Sequence, residues 1–237
     1  MRFHYFSYLV LTIGFLAVAG QGMAQTTCST SECHPDFQGG QNTHPTDIGC
    51  ESCHSVQQEE HVRDASAASL KGGNVCIECH DDVLGYRQMH APVSEGECYL
   101  CHNPHGKMAN MLVAEEAYST RYYIDYTEDS YQLCFSCHKR ELLMFPDTSF
   151  STGFRDGIKN LHYVHVNKAK RGRSCKLCHG IHGANQPRMI ADIVDFGTWL
   201  MPLNFEKWET GGQCFPGCHR PQRYDRQTPQ QPPAAEK

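Results

Sequence analysis

Cys98-Tyr-Leu-Cys101-His102-Asn-Pro-His105-Gly106 opens a stretch of the chain that closes with Cys134-Phe-Ser-Cys137-His138. At each end two cysteines stand two residues apart, and histidine follows the second at once. Thiols at that spacing can add to the two vinyl groups of one porphyrin. The histidine beside the second thiol then lies against the iron. Such a triplet is the attachment signature of c-type haem. His105 has no cysteine in front of it and is left over. Two signatures with a spare histidine between them form a unit, and the chain on either side repeats its parts.

Five cysteine pairs share the two-residue spacing: Cys50/Cys53 before His54, Cys76/Cys79 before His80, Cys98/Cys101 before His102, Cys134/Cys137 before His138, and Cys175/Cys178 before His179. Two pairs are wider. Four residues separate Cys28 from Cys33, ahead of His34, and three separate Cys214 from Cys218, ahead of His219. These seven pairs consume all 14 cysteines. A disulfide has no need of histidine after its second cysteine. Histidine nevertheless stands there at all seven sites, in a chain with 15 histidines among 237 residues. Zinc knuckles also use Cys-x-x-Cys, but they join into four-ligand sets in which a fixed Cys-His step has no role. The pattern predicts seven covalently bound haem c groups, with His34, His54, His80, His102, His138, His179 and His219 as proximal iron ligands.

The histidines that follow no cysteine are His4, near the N-terminus, and His44, His61, His90, His105, His162, His165 and His182. The last seven equal the attachment sites in number. The simplest reading gives every iron a second, distal histidine. His105 lies three residues after His102, and His182 three after His179. Neither can readily round the porphyrin edge to reach the far face of the haem just before it. Each is therefore expected to ligate a different haem and to cross-tie neighbouring sites. His44, His90 and His165 precede a cysteine pair by six, eight and ten residues, and could serve their own site or the one before. Methionine is the competing axial ligand. The available ones, Met201 among them, read as apolar packing against porphyrin.

The N-terminus reads as an export signal. Arg2 is followed by an apolar run from Tyr8 to Ala19, and Gly22-Met23-Ala24 offers small residues for cleavage after residue 24. The run is short for a bilayer span. Export fits the cysteines, because 14 free thiols would not persist in an oxidising compartment. Cleavage removes Arg2 and no acid, so the formal net charge of −5 becomes one unit more negative. That balance argues against a nucleic-acid partner. Lys168, Lys170, Arg171, Arg173 and Lys176 form a basic run around the sixth site, suited to neutralising haem propionates or to docking an acidic partner.

Few long amphipathic runs are present, and about 30 residues are available per site. The expected fold class is mostly irregular, with short α-helices wrapped around a chain of covalently bound haems and little or no β-sheet. Helices are expected at several attachment sites, over 111–118, and over 139–145, where Pro146 ends the run. Ile190 to Lys207 has no clean period. The haem domain is expected over 25–221, with sub-lobes near 25–97 and 98–221. Residues 222–237 read as a disordered Pro/Gln-rich tail.

His90 to His138 resembles the doubled Cys-x-x-Cys-His domain of multihaem cytochromes c. Phe154 to Arg226, with FRDGIKNLHYVHVNKAKRGRSCKLCHGIHG and ETGGQCFPGCHRPQRYDR, is similar to segments of exported multihaem cytochromes of metal-respiring and related bacteria. The likeness covers roughly 44–226, and the wider Cys28/Cys33 spacing resembles a variant found in class III tetrahaem cytochromes. In such families the histidine of Cys-His is a proximal ligand, which transfers to His102 and His138. The histidine of Asn-Pro-His-Gly is a distal ligand, which transfers to His105 and, by analogy, to His182.

The expected function is electron carriage along closely packed bis-histidine haems, in anaerobic or extracellular respiration, and not catalysis. Expected partners are other cytochromes, a quinol dehydrogenase and an outer-membrane β-barrel porin, with a homo-oligomer or filament as a further assembly. The expected location is the periplasm or the outer-membrane surface of a Gram-negative bacterium. The competing reading is a haem reductase for nitrite, hydroxylamine or a sulfur oxyanion. That chemistry needs one iron with an open position, which the matched histidine count disfavours.

Overall fold

The computed structural model describes residues 50–55, 69–70, 75–105 and 122–230. The described residues belong to one compact unit. Cys28, Cys33, His34, His44, His61, the export segment at 1–24 and the helix expected over 111–118 lie outside them.

Each regular attachment motif is one helical turn. Single turns span Cys50–Cys53, Val75–Glu78, Cys98–Leu100, Gln132–Phe135 and Cys175–Leu177. In four of them the histidine amide donates to the carbonyl of the first cysteine. His80 reaches Cys76 at 3.0 Å, His102 reaches Cys98 at 2.9 Å, His138 reaches Cys134 at 2.9 Å and His179 reaches Cys175 at 3.0 Å. This is the α-helical bond, and it brings both thiols and the imidazole to one side of a single turn. The wide pair is built otherwise. Cys214 ends the strand Gly211–Cys214, and Gly217, at φ +76°, turns the chain towards Cys218. A side chain at Gly217 would also run into the Trp199 indole.

The expectation of little or no β-sheet is wrong. The described residues contain five two-stranded antiparallel sheets and one of three strands. Most of these strands are two residues long, below the four or more needed for a readable alternation. They form because the backbone between attachment turns must pair its polar groups somewhere. Two of the sheets are long-range bolts. Gln88–Met89 pairs with Gly183–Ala184, and Tyr123–Ile124 pairs with Gly172–Arg173. Both glycines are required by close approach. A Cβ on Gly183 would sit 2.8 Å from the Gln88 carbonyl oxygen, and one on Gly172 would overlap the Val166 carbonyl. The stretch from Ile190 contains a hairpin of Ile193–Phe196 and Trp199–Pro202, turned at Gly197 with φ +66°.

Residues 222–230, expected as part of the disordered tail, are ordered. Gln222–Asp225 is a strand beside Gly211–Cys214. The Asp225 carboxylate accepts from Thr210 Oγ1 at 2.6 Å and from the amides of Gln227 and Thr228. The Asp156 carboxylate accepts from the amides of Asp225 and Gln230. Composition suggested disorder, but two carboxylates supply the partners that order this backbone.

Two small apolar clusters stand beside the sites. Leu177, Val194, Met201 and Leu203 form one. Tyr131, Leu143 and Val166 form the other, with Cys134 and Cys175 packed against it. The expected helix at 139–145 is Glu141–Met144, and Phe145 turns extended ahead of Pro146. Helix Leu161–Val166 is capped by Asn160, whose Oδ1 accepts from the amides of His162 and Tyr163. Asn160 is fully buried, and its Nδ2 donates to Leu142 O and Phe145 O at 3.0 and 2.9 Å. One side chain thus starts one helix and closes the end of another.

Candidate metal centres

The histidines meet in twos, one that follows a cysteine with one that does not. His54 and His105 have ring centroids 6.0 Å apart, His90 and His138 6.0 Å, His102 and His182 6.0 Å, and His162 and His179 6.4 Å. Their planes diverge by 22°, 13°, 33° and 13°. Two metal–nitrogen bonds of about 2.0 Å each, plus a ring radius on either side, give a centroid spacing of roughly 6 Å. Among the described residues no three His, Cys, Asp or Glu side chains gather where they could hold a bare ion. Paired imidazoles with this separation suit an iron whose other four positions are porphyrin nitrogens. The residues present therefore fit haem.

The pairing is interlaced. His105 sits at His54, two sites before its own motif, and His182 by the site at His102. His90 reaches forward past Cys98 and Cys101 to His138. The backbones of His90 and His182 are joined directly, His90 N donating to His182 O at 3.0 Å. That bond extends the sheet of Gln88–Met89 with Gly183–Ala184, so one bolt holds two distal histidines. Helix Leu161–Val166 carries two more. His162 stands at His179, and His165 lies within electrostatic reach of His219. Phe154 stands between them, edge-on to His162 at 5.2 Å and nearly parallel to His165 at 5.7 Å. His80 is described, but the two distal histidines left over by this pairing, His44 and His61, are not.

Burial favours the neutral form at five of these imidazoles. It is the leading cause of the lowered pKa at His90, His165, His179 and His182. His162 falls to about 3, through burial first and then His179 and His165. A neutral imidazole offers a lone pair to a metal, and a hydrogen bond at Nδ1 leaves Nε2 for the task. Nδ1 of His165 meets Leu161 O at 2.7 Å, that of His179 meets Arg188 O at 3.1 Å, and that of His219 meets Arg220 O at 2.7 Å.

The cysteines run as neighbours in chain order. The Cys76 thiol hydrogen-bonds Cys98 and feels Cys53. Cys101 feels Cys134 and Cys137. Cys134 accepts from Cys175, so the Cys134 thiol titrates below its usual range and that of Cys175 above it. Burial, with Cys214 and Cys218 behind it, pushes the Cys178 thiol up to about 12. Cys218 Sγ stands 3.6 Å from Met201 Sδ, and Met201 is packed in the first apolar cluster.

Cys79, paired in sequence with Cys76 as a thioether donor, is exposed, as are Cys76, Cys137, Cys178 and Cys218. The backbone places Cys79 on the turn of its site, Cys79 N donating to Cys76 O at 3.3 Å. The basic run is partly engaged within the chain. Lys170 pairs with Asp125 at 3.0 Å, and the Arg171 and Arg173 guanidiniums lie over the Tyr123 ring at 4.9 and 5.0 Å.

A family model described as the doubled CXXCH motif matches residues 90–142. The match supports a multihaem c-type cytochrome in electron transfer, with haem c bound covalently at its CXXCH motifs. No curated protein matches the chain. Residues 90–142 hold the attachment turns at His102 and His138 and the distal candidates His90 and His105.

Sequence reasoning missed Asn160, Phe154, Thr152 and the carbonyl partners of the imidazoles. Asn160 had a signal in the sequence: Asn before Leu-His-Tyr-Val-His is an N-cap ahead of a short apolar run. The others had none, because their contacts depend on the fold.

Proposed function

We propose that this chain is an exported heptahaem c-type cytochrome that passes single electrons between redox partners along a line of bis-histidine centres. The observation that carries the reading is the neighbour order of the cysteines, which follows the sequence from Cys53 through Cys76, Cys98, Cys101, Cys134, Cys175 and Cys178 to Cys214. Each thioether sulfur would belong to the rim of the group it holds, so the hydrogen-bonded thiols Cys76 with Cys98 and Cys134 with Cys175 would bring neighbouring rims together. Haem c, when bound, supplies a one-electron centre whose potential follows its axial ligands, burial and nearby charge. The polypeptide does the rest. Single helical turns fix the thiol pair and proximal histidine of each regular motif. The sheet bolts and helix Leu161–Val166 bring distal histidines from elsewhere in the sequence beside the proximal ones. Two imidazoles so paired would hold an iron with the same ligands in both redox states, which suits electron transfer rather than substrate binding.

The physiological setting we propose is anaerobic or extracellular respiration in the periplasm or at the cell surface of a Gram-negative bacterium. The partners are other cytochromes, a quinol dehydrogenase or an outer-membrane porin. Haem quantification with intact mass on the secreted protein tests the reading. Seven haems and loss of residues 1–24 are expected. Five haems would remove the Cys28/Cys33 and Cys214/Cys218 sites from the line.

A further inference from the structure

Five of the described imidazoles are held in two ways. At His165, His179 and His219, Nδ1 faces a main-chain carbonyl, and His90 hydrogen-bonds the carbonyl of Ile181. No side-chain substitution removes such an acceptor. At His162 the partner is a side chain. Thr152 Oγ1 lies 2.9 Å from Nδ1. The same hydroxyl oxygen accepts from Phe154 N at 2.9 Å. If Nε2 of a neutral His162 faces iron, Nδ1 carries the proton and donates it. Thr152 then receives two donors on its two lone pairs, and each bond is weaker than one to an amide carbonyl. The loop that presents it is firmly built. Thr148 is buried, and its Oγ1 accepts from the amides of Phe150 and Ser151.

We infer that Thr152 is a positioning residue that sets the electron-donating strength of His162 and hence the potential of the iron held at Cys175 and Cys178. The inference rests on the reading that His162 and His179 share that iron. An acceptor at Nδ1 makes the imidazole a stronger donor and favours ferric iron. A hydroxyl already shared with Phe154 N–H does so less than the carbonyl at His179. The two ligands of this site are thus unequal, and Thr152 is the adjustable one.

The test is a set of variants of the secreted holoprotein, followed by NMR-monitored redox titration of individual haems and by ferric EPR. Thr152→Val removes the acceptor at nearly constant shape. It should shift the reduction equilibrium of one centre about tenfold towards ferrous, which is about 59 mV upward for one electron. Thr152→Ser should restore the wild-type value. Thr152→Asp, a stronger acceptor, should shift the same centre the other way. Haem content and the low-spin signals should be unchanged in all three. A Val variant with wild-type potentials, or a Ser variant that shifts as Val does, overturns the role of Thr152. His162→Ala tests the underlying reading separately. It should convert one centre to high spin, and an unchanged low-spin count would show that His162 is not a ligand, whatever Thr152 does.

Discussion

Residues 75–105 and 122–230 solve the same problem in different ways. In 75–105 no residue is buried, and the chain is single turns joined by short links. In 122–230 the chain makes cores of its own, around Leu177 and Met201 and around Tyr131 and Leu143. It also braces helix Leu161–Val166 through the buried Asn160. The first region therefore depends on its bound groups for cohesion, and the second holds its histidines with protein. The two are bolted where Gln88–Met89 meets Gly183–Ala184.

That contrast can be broken most sharply by making the protein without haem attachment. Hydrogen exchange across 75–105 should then approach the unprotected limit, while amides around Leu143, Val166 and Met201 keep protection of roughly a hundredfold or more. Equal loss in both regions would end the distinction. Next in size is Asn160→Ala. It removes a helix cap, at about 1 kcal/mol, and leaves Leu142 O and Phe145 O short of a donor, at about 1–3 kcal/mol more. The expected result is a lower denaturation midpoint for 122–230, with haem content intact.

Gly183→Ala attacks the bolt. The new methyl meets Gln88 O and Tyr86, so the pairing must open, at about 1–3 kcal/mol. Exchange should rise at Met89 and His90 before it rises at Val166. The smallest effect concerns Asp225, whose pKa is drawn down to about 2 by the Thr210 hydroxyl first and then the amides of Thr228 and Gln227. A carboxylate depressed in the fold stabilises it above the unfolded pKa, and that stability is lost as pH falls from about 4 through 2. Protection of strand Gln222–Asp225 should fade over that window, and Asp225→Asn should remove the pH dependence.

The attachment sites were legible because their chemistry is local. Two thiols and an imidazole must share one turn, so Cys98-Tyr-Leu-Cys101-His102 states its purpose within five residues. The exclusion of His105 from the haem at His102 was legible for the same reason, being a matter of reach. Which histidine it joins was not. The meeting of His102 with His182 depends on a sheet that sets Gln88 opposite Ala184, far apart in sequence. Strands of two residues carry no alternation to read, so the sheets went unforeseen. The segment at 222–230 misled through composition, since Asp156, far off in the chain, supplies the acceptor that orders it.

The central claim is that every iron is held between two histidines and so carries electrons without binding substrate. Quantitative EPR of the fully oxidised holoprotein tests it most directly. The account predicts seven low-spin ferric centres per chain, unmoved by cyanide or nitrite. A high-spin ferric signal approaching one per chain, shifted by either anion, would contradict it and place an open iron in the line.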